Sequence, residues 1–369
     1  MVKKFACPLP FNHMAIRPDG RIFPCCIYRW DDVPEDLNIF HPDPFNHPYM
    51  QQLREKMNND EPIEGCKQCY KDEELGSESF RNYANTNKEK LGLTSLENGT
   101  KPELAYIDLS ISNTCNNKCR MCGPELSTQW YSDAKQLGRH IPKGIVVNPF
   151  IENGDFSKLK YLKLLGGEPL LEQEKLIKIL KQCDLGSLTI QLITNTTVVP
   201  NDELHNLFTQ CKDVNVSLSI DSTGKLNEFL RKGSNWNQTV DTIEWFQNRN
   251  YDLYVHSVAS IYNCNLLDDL IDFCIKKNLK QRYVLIDGPE YMMPRNLPNN
   301  VKQRLIKNFS KKGNAQDIFP VMIHELEKQG DFNNFVKHDN IMNKLRNEHW
   351  KNYNPALYEL TQNSKEVKI

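Results

Sequence analysis

Between residues 104 and 290 the chain alternates six short, β-rich apolar runs (105–112, 159–167, 188–195, 214–221, 253–260 and 282–287) with five helical patterns (125–137, 172–182, 202–210, 236–248 and 266–277). This alternation constrains the fold more than any other feature. Strands separated by helices imply right-handed βαβ units and a parallel sheet. Asn201 and Asn235 sit where helix N-caps belong, and Pro169 stands ahead of a helix rather than inside one. Eight such units close a full barrel. Six give an α/β fold of the partial (β/α)6 TIM-like kind, open along one side.

In parallel α/β architectures the chemistry gathers at the carboxyl ends of the strands. Four distinctive motifs fall there. The cysteine run of residues 113–124 follows the first strand, and Gly166-Gly167-Glu168-Pro169 follows the second. Thr194-Asn195-Thr196 ends the third strand and Ser219-Ile220-Asp221 the fourth. Their shared location predicts a single active site.

The cysteine run holds Cys115, Cys119 and Cys122 in a three-then-two spacing. One loop with that spacing can wrap an iron–sulfur cube and give it three thiolates, leaving the fourth iron without a protein ligand. A zinc site completed by a distant fourth ligand is the bland alternative, but zinc sites usually pair two Cys-x2-Cys knuckles. Of twelve cysteines, Cys183, Cys211, Cys264 and Cys274 are scattered singly and read as small buried hydrophobes. The other eight are clustered, in a chain of 369 residues too long for a disulfide scaffold. Clustering of this kind points to metal ligation.

Residues 1–80 differ in kind, being rich in Pro, Asn and His and carrying Cys7, Cys25, Cys26, Cys66 and Cys69. Such a segment has little apolar surface of its own, so a metal centre is expected to hold it together. Iron–sulfur and zinc both remain open for these thiols, and Cys26 is expected to be a spare neighbour. Residues 300–369 look helical and Lys-rich, with Phe319, Phe332, Phe335, Trp350 and Tyr353 available to pack. With 46 basic and 47 acidic residues, no global field favours nucleic acid or membrane as a partner. No apolar stretch is long enough to span a bilayer, and the two N-terminal lysines lack a following apolar region. A cytoplasmic protein is expected.

With a Cys-x3-Cys-x2-Cys loop after the first strand of a βα array, residues 104–290 resemble the core of the radical S-adenosylmethionine (SAM) enzymes. The resemblance implies that Cys115, Cys119 and Cys122 hold a [4Fe–4S] cluster whose open iron binds SAM. Reductive cleavage of SAM then gives a 5′-deoxyadenosyl radical that abstracts a substrate hydrogen. Gly166, Gly167, Glu168 and Pro169 resemble the family's GGEP motif, in which the backbone and the acid receive the SAM ammonium. Ser219 and Asp221 resemble residues near the SAM ribose and carboxylate. Arg231 resembles an arginine that contacts the SAM carboxylate in peptide-modifying members, and Thr194 and Asn195 line the same rim. Met121 stands where the family commonly has an aromatic residue near adenine.

Residues 1–80 resemble the auxiliary cluster domains called SPASM and twitch. Cys7, the hairpin with Gly20-x4-Cys25, and Cys66-x2-Cys69 reproduce their ligand steps, with a short helix over residues 43–54. This implies a second, auxiliary [4Fe–4S] cluster on Cys7, Cys25, Cys66 and Cys69, and one cluster's worth of ligands fits twitch. In the family the domain follows the barrel, whereas here it precedes it. The resemblance implies an enzyme acting on a peptide or protein, reduced by a flavodoxin- or ferredoxin-type protein. A small-molecule substrate (a sugar or aminoglycoside) is the alternative, and a non-catalytic iron–sulfur or zinc protein that senses redox state is the rival from outside enzymology. No residue is singled out as a general base.

Overall fold

The computed structural model describes residues 4–29, 33–74, 78–94, 101–142, 155–312 and 317–362. All six expected strands form: β3 (Tyr106–Ser110), β4 (Tyr161–Leu165), β5 (Thr189–Thr194), β6 (Asp213–Ser219), β7 (Asp252–Ala259) and β8 (Lys280–Leu285). Each pairs in parallel with the next. β8 begins two residues earlier than the apolar run suggests, because its ladder with β7 starts at the pair Tyr254 and Lys280. The helix expected over 125–137 is a single 3-10 turn, Thr128–Trp130, followed by Tyr131–Gln136. Asn201 and Asn235 cap as expected, accepting from the backbone N–H of Leu204 and Gln238.

Among the described residues the sheet has eight strands, the six expected and two from the N-terminal segment. β1 (His13–Ile16) lies parallel to β3, and β2 (Ile22–Phe23) turns back antiparallel along β1. The hairpin of the N-terminal segment thus extends the barrel sheet across its first edge. Leu9, Phe11, Met14 and Ile16 join the same apolar core as Ile107, Leu109, Leu162 and Leu164. The segment does not rely on a metal centre alone, because the barrel supplies the apolar surface it lacks. Its short helix is found at Pro48–Asn58.

Among the described residues the expected C-terminal tail holds four α-helices, Asn299–Lys312, Ile318–Glu327, Phe332–Arg346 and Pro355–Gln362, and its residues 313–316 and 363–369 lie outside the described part. They form a second apolar cluster in which Phe319, Phe332, Phe335 and Trp350 pack with Leu230, Tyr262 and Ile286 of the barrel. Among the described residues no helix is long and apolar enough to cross a membrane.

Along β4 to β7 the two faces of the sheet differ. Leu162, Leu164, Ile190, Leu192, Val216, Leu218, Leu253 and Val255 are buried in the core. The alternate positions are polar: Lys163, Gln191, Asn215, Ser217, Tyr254 and His256. Closed barrels fill this inner face with branched aliphatic side chains. Here it lines an open, polar lumen.

Candidate active site

The cysteine loop leaves β3 and is pinned on both sides. Asn113 donates to Pro124 O at 3.1 Å and to the Tyr131 hydroxyl at 2.7 Å, and Trp130 donates its indole N–H to Cys119 O at 2.9 Å. The backbone N–H groups of Lys118 and Arg120 donate to Lys232 O and Leu230 O, each at 2.7 Å. The loop therefore rests against the segment that follows β6. Its three thiols face one another closely enough to influence each other's ionisation. Burial pushes the Cys115 thiol up to about 11, although the backbone N–H of Asn117 and the amide of Asn195 both donate to its sulfur. A hydrogen bond from Cys122 lowers Cys119 and raises Cys122, and the Arg231 guanidinium acts on both.

Gly166 and Gly167 lie directly against this loop. Gly167 N–H donates to Ser112 O at 2.9 Å and Glu168 N–H to Thr114 O at 2.8 Å, which continues the β3–β4 ladder past the strands. A Cβ on Gly167 would stand 2.1 Å from Thr114 O, and one on Gly166, at φ +139°, 2.6 Å from Ser112 O. Both contacts are with backbone, so only glycine fits.

Glu168 is buried and held on three sides. Its Oε1 accepts from Leu170 N–H at 3.1 Å and from the Thr194 hydroxyl at 3.0 Å, and Oε2 accepts from Asn195 N–H at 2.6 Å. Burial nevertheless outweighs these donors and raises its pKa to about 7. A buried acid so held is poised to receive a cation. Thr194 and Asn195 therefore position the acid, and Asn195 also touches the Cys115 sulfur at 3.7 Å.

Asp221 and Arg231, expected as separate contacts, stand against each other with Nε 2.7 Å from Oδ2, both buried. Asp221 is fixed further by Val258 N–H, which donates to its Oδ1 at 2.9 Å. The acid thus orients Arg231, while the charge of that guanidinium reaches Cys119 and Cys122. Ser219 ends β6 half-buried, and Met121 packs half-buried against the C-terminal apolar cluster.

Cys7, Cys25, Cys66 and Cys69 line one cavity together with Leu9, Tyr28, Met57 and Phe80. Burial raises all four thiols, Cys66 to about 12. Four thiols on an apolar cavity suit a group that binds thiolate and neutralises it. Cys26 turns away from them towards Asp108, and burial beside that acid pushes it up to about 12. No three His, Cys, Asp or Glu side chains among the described residues are placed to hold a single metal ion.

Two sets of residues escaped sequence reasoning. One is the C-terminal clamp on the cysteine loop: Arg120 reaches Glu348 at 3.0 Å and Asp339 at 3.5 Å, and Arg346 reaches Asp133 at 2.8 Å. The other is the lumen set of His13, Asp108, Lys163 and His256. A charge at an inward strand position was the signal for Asp108 and Lys163, since such positions are ordinarily apolar.

Fold and thiols together define an α/β iron–sulfur protein. Residues 109–264 match the model of the Radical SAM superfamily, and residues 7–70 match that of the SPASM iron–sulfur cluster-binding domain. The chain belongs to the radical SAM superfamily of enzymes, as a SPASM-type member whose auxiliary domain comes first. The cofactors of that family are SAM, a [4Fe–4S] cluster and an additional iron–sulfur cluster, and the two thiol sets fit them.

The GTP 3′,8-cyclase of Helicobacter pylori (strain J99) is 21% identical over 211 residues, covering 49% of this chain and 64% of that protein. The GTP 3′,8-cyclase of Microcystis aeruginosa is 26% identical over 189 residues, covering 49% and 56%. The match thus spans less than two thirds of these relatives. Among solved structures, anSMEcpe with bound AdoMet and Cp18Cys peptide shares 18% identity at a TM-score of 0.39, over 54% of this chain and 56% of that one. Streptococcus suis SuiB bound to precursor peptide SuiA shares 14% at 0.37, over 78% and 64%.

Proposed function

We propose that the chain cleaves SAM reductively at the carboxyl end of the barrel and takes a hydrogen atom from a peptide or protein held in the lumen. Bound there, the reduced cluster and SAM supply a 5′-deoxyadenosyl radical. The chain's own residues supply the rest. Cys115, Cys119 and Cys122 hold the cluster, and Glu168, presented by Gly166, Gly167 and Pro169 and steadied by Thr194 and Asn195, receives the SAM ammonium. Arg231, oriented by Asp221, faces the SAM carboxylate. Ser219 lies at the ribose and Met121 at the adenine. Residues 1–80 act as the auxiliary unit, with Cys7, Cys25, Cys66 and Cys69 closing its cluster, which serves electron transfer or supports the substrate pocket rather than binding substrate directly. Residues 104–290 form the catalytic barrel and 300–369 its extension.

The observation that carries this reading is convergence at one strand end. Three thiols, a two-glycine approach without room for a Cβ, a buried acid and a buried guanidinium all meet there. A small-molecule substrate is the second reading, supported by curated relatives named GTP 3′,8-cyclase. All twelve cysteines are free thiols, which suits a cytoplasmic enzyme served by a flavodoxin- or ferredoxin-type reductant. The test is anaerobic reconstitution followed by dithionite and SAM. 5′-Deoxyadenosine is expected, with about eight irons per chain falling to about four when Cys115, Cys119 and Cys122 become Ala. No 5′-deoxyadenosine from fully loaded protein overturns the reading.

A further inference from the structure

The lower lumen is built unlike a packed core. At the amino-terminal half of the strands, Tyr106, Tyr161, Lys163, Gln191, Tyr254 and Arg282 surround a cavity of about 310 Å³, which opens beside the exposed residues Glu78 and Lys90. That volume is in the range of a ligand pocket. Tyr161 donates its hydroxyl to Gln191 at 3.2 Å, and Gln191 in turn donates to the Tyr254 hydroxyl, so the amide and both rings are held in place.

Two observations show that the cavity is made to bind something polar. Just above it, the buried Ser217 hydroxyl and His256 Nε2 have no hydrogen-bond partner. Buried polar atoms are ordinarily satisfied, so these two unmet atoms, one pleat along from the cavity residues Asn215 and Tyr254, keep the wall next to the cavity polar. The second observation is the balance of charge. Lys163 and Arg282 line the cavity, and Arg282 makes no ion pair among the described residues. Against them stands Asp108, which is already shared between Lys163 and His13, each at 3.7 Å. Glu78 and Lys90 at the mouth offset each other. The surplus is positive; beside it, burial first and then Arg282, with smaller effects of Arg231 and Lys163 against the opposing Asp221, hold the His256 pKa down to about 4.

We propose that this lower lumen is an anion subsite, where Lys163 and Arg282 grip a carboxylate or phosphate at one end of the substrate. The inference rests on the reading that the substrate occupies the lumen, and it names the chemistry of the end remote from SAM. Lys163 lies three residues before Gly166, about 10 Å along an extended strand. A substrate that reaches both ends is therefore elongated, with its acidic group about that far from the carbon that loses hydrogen. An acidic side chain of a peptide meets this requirement, and so does the polyphosphate of a nucleotide.

The test is calorimetric titration of the cluster-loaded enzyme with inorganic pyrophosphate, with N-acetylated, C-amidated Gly-Glu-Gly and with the equally capped and therefore neutral Gly-Gln-Gly. One anion or both is expected to bind, with the affinity falling about tenfold or more in Arg282→Gln, the loss of one charge-assisted contact. The Gly-Gln-Gly titration is expected to be the same in both proteins. Arg282 is exposed, so this variant keeps its fold, and Lys163→Gln provides the second measurement from the other side of the cavity. Preference for pyrophosphate identifies a phosphate substrate, and preference for the glutamyl peptide an acidic peptide. The proposal is overturned if neither anion binds at about 10 mM, or if both variants bind the anions as tightly as the parent. Titration needs no SAM cleavage. Loss of 5′-deoxyadenosine with anion binding intact thus refutes the proposed reaction and leaves the subsite standing, and the converse result refutes the subsite alone.

Discussion

Arg120 stands between two cluster-loop residues, Cys119 and Met121, yet its partners belong to the C-terminal helices. The guanidinium lies 3.8 Å from the centre of the Phe229 ring and donates to the Tyr262 hydroxyl at 3.4 Å and to Asn343 at 3.3 Å. It also serves Asp339 and Glu348, both shielded from solvent. Burial raises the Asp339 pKa, so without the arginine that carboxylate has no means of remaining ionised at low cost. Replacing Arg120 with Met keeps bulk over Phe229 but leaves the buried Asp339 without its cation, whereas Glu348 keeps Lys232 at 2.7 Å. Breaking a buried pair in this way costs about 3–5 kcal/mol. At about 1.4 kcal/mol per factor of ten, amide exchange in helix Phe332–Arg346 and in residues 115–131 should quicken by about two to four orders of magnitude. Exchange followed by mass spectrometry on anaerobic protein measures both segments at once. The double variant R120M/D339N removes the stranded charge and should recover most of the protection. Exchange within about fivefold of the parent in R120M refutes the clamp. A double variant as exposed as the single one shows instead that packing on Phe229, and not charge, holds the helix.

Gly167→Ala forces a Cβ onto Thr114 O and should lower SAM affinity by about tenfold or more, read by equilibrium binding; unchanged affinity removes the glycine from the site. Glu168 has its pKa raised from 4.5 to about 7 by burial, so the SAM-free fold holds a proton there that the unfolded chain has lost. The stability this proton contributes is full below pH 4.5 and disappears as pH rises through about 7. SAM affinity should rise over the same interval as the acid ionises to meet the ammonium, and E168Q should bind weakly with no such step. Cys25→Ala should cost the auxiliary cluster, about four irons, whereas Cys26→Ala should keep both clusters because its thiol faces Asp108; equal iron loss in the two variants contradicts the assignment.

Much of the site was legible because its signals are local. Cys115, Cys119 and Cys122 share one loop, Gly166 to Pro169 are consecutive, and strand ends follow from the period of apolar residues. The pairing of Asp221 with Arg231 was not legible. Each residue fitted a separate role, and only the turn after β6 brings the guanidinium onto the acid. The lumen left one mark, the charges of Asp108 and Lys163 inside strands, but only the curving sheet shows that they face inward.

The sequence by itself determined the six-strand alternation, the two thiol sets and the order of the units, because these depend on spacing along the chain. Tertiary structure alone decided that residues 13–23 extend the barrel sheet, that the C-terminal helices clamp the cysteine loop through Arg120, and that the inner face of the barrel is polar. The first two features join residues roughly 90 to 230 positions apart. Strand register and buried charge pairs at such separations leave no periodic mark in the sequence. They are fixed when folding brings the partners together and excludes water from between them.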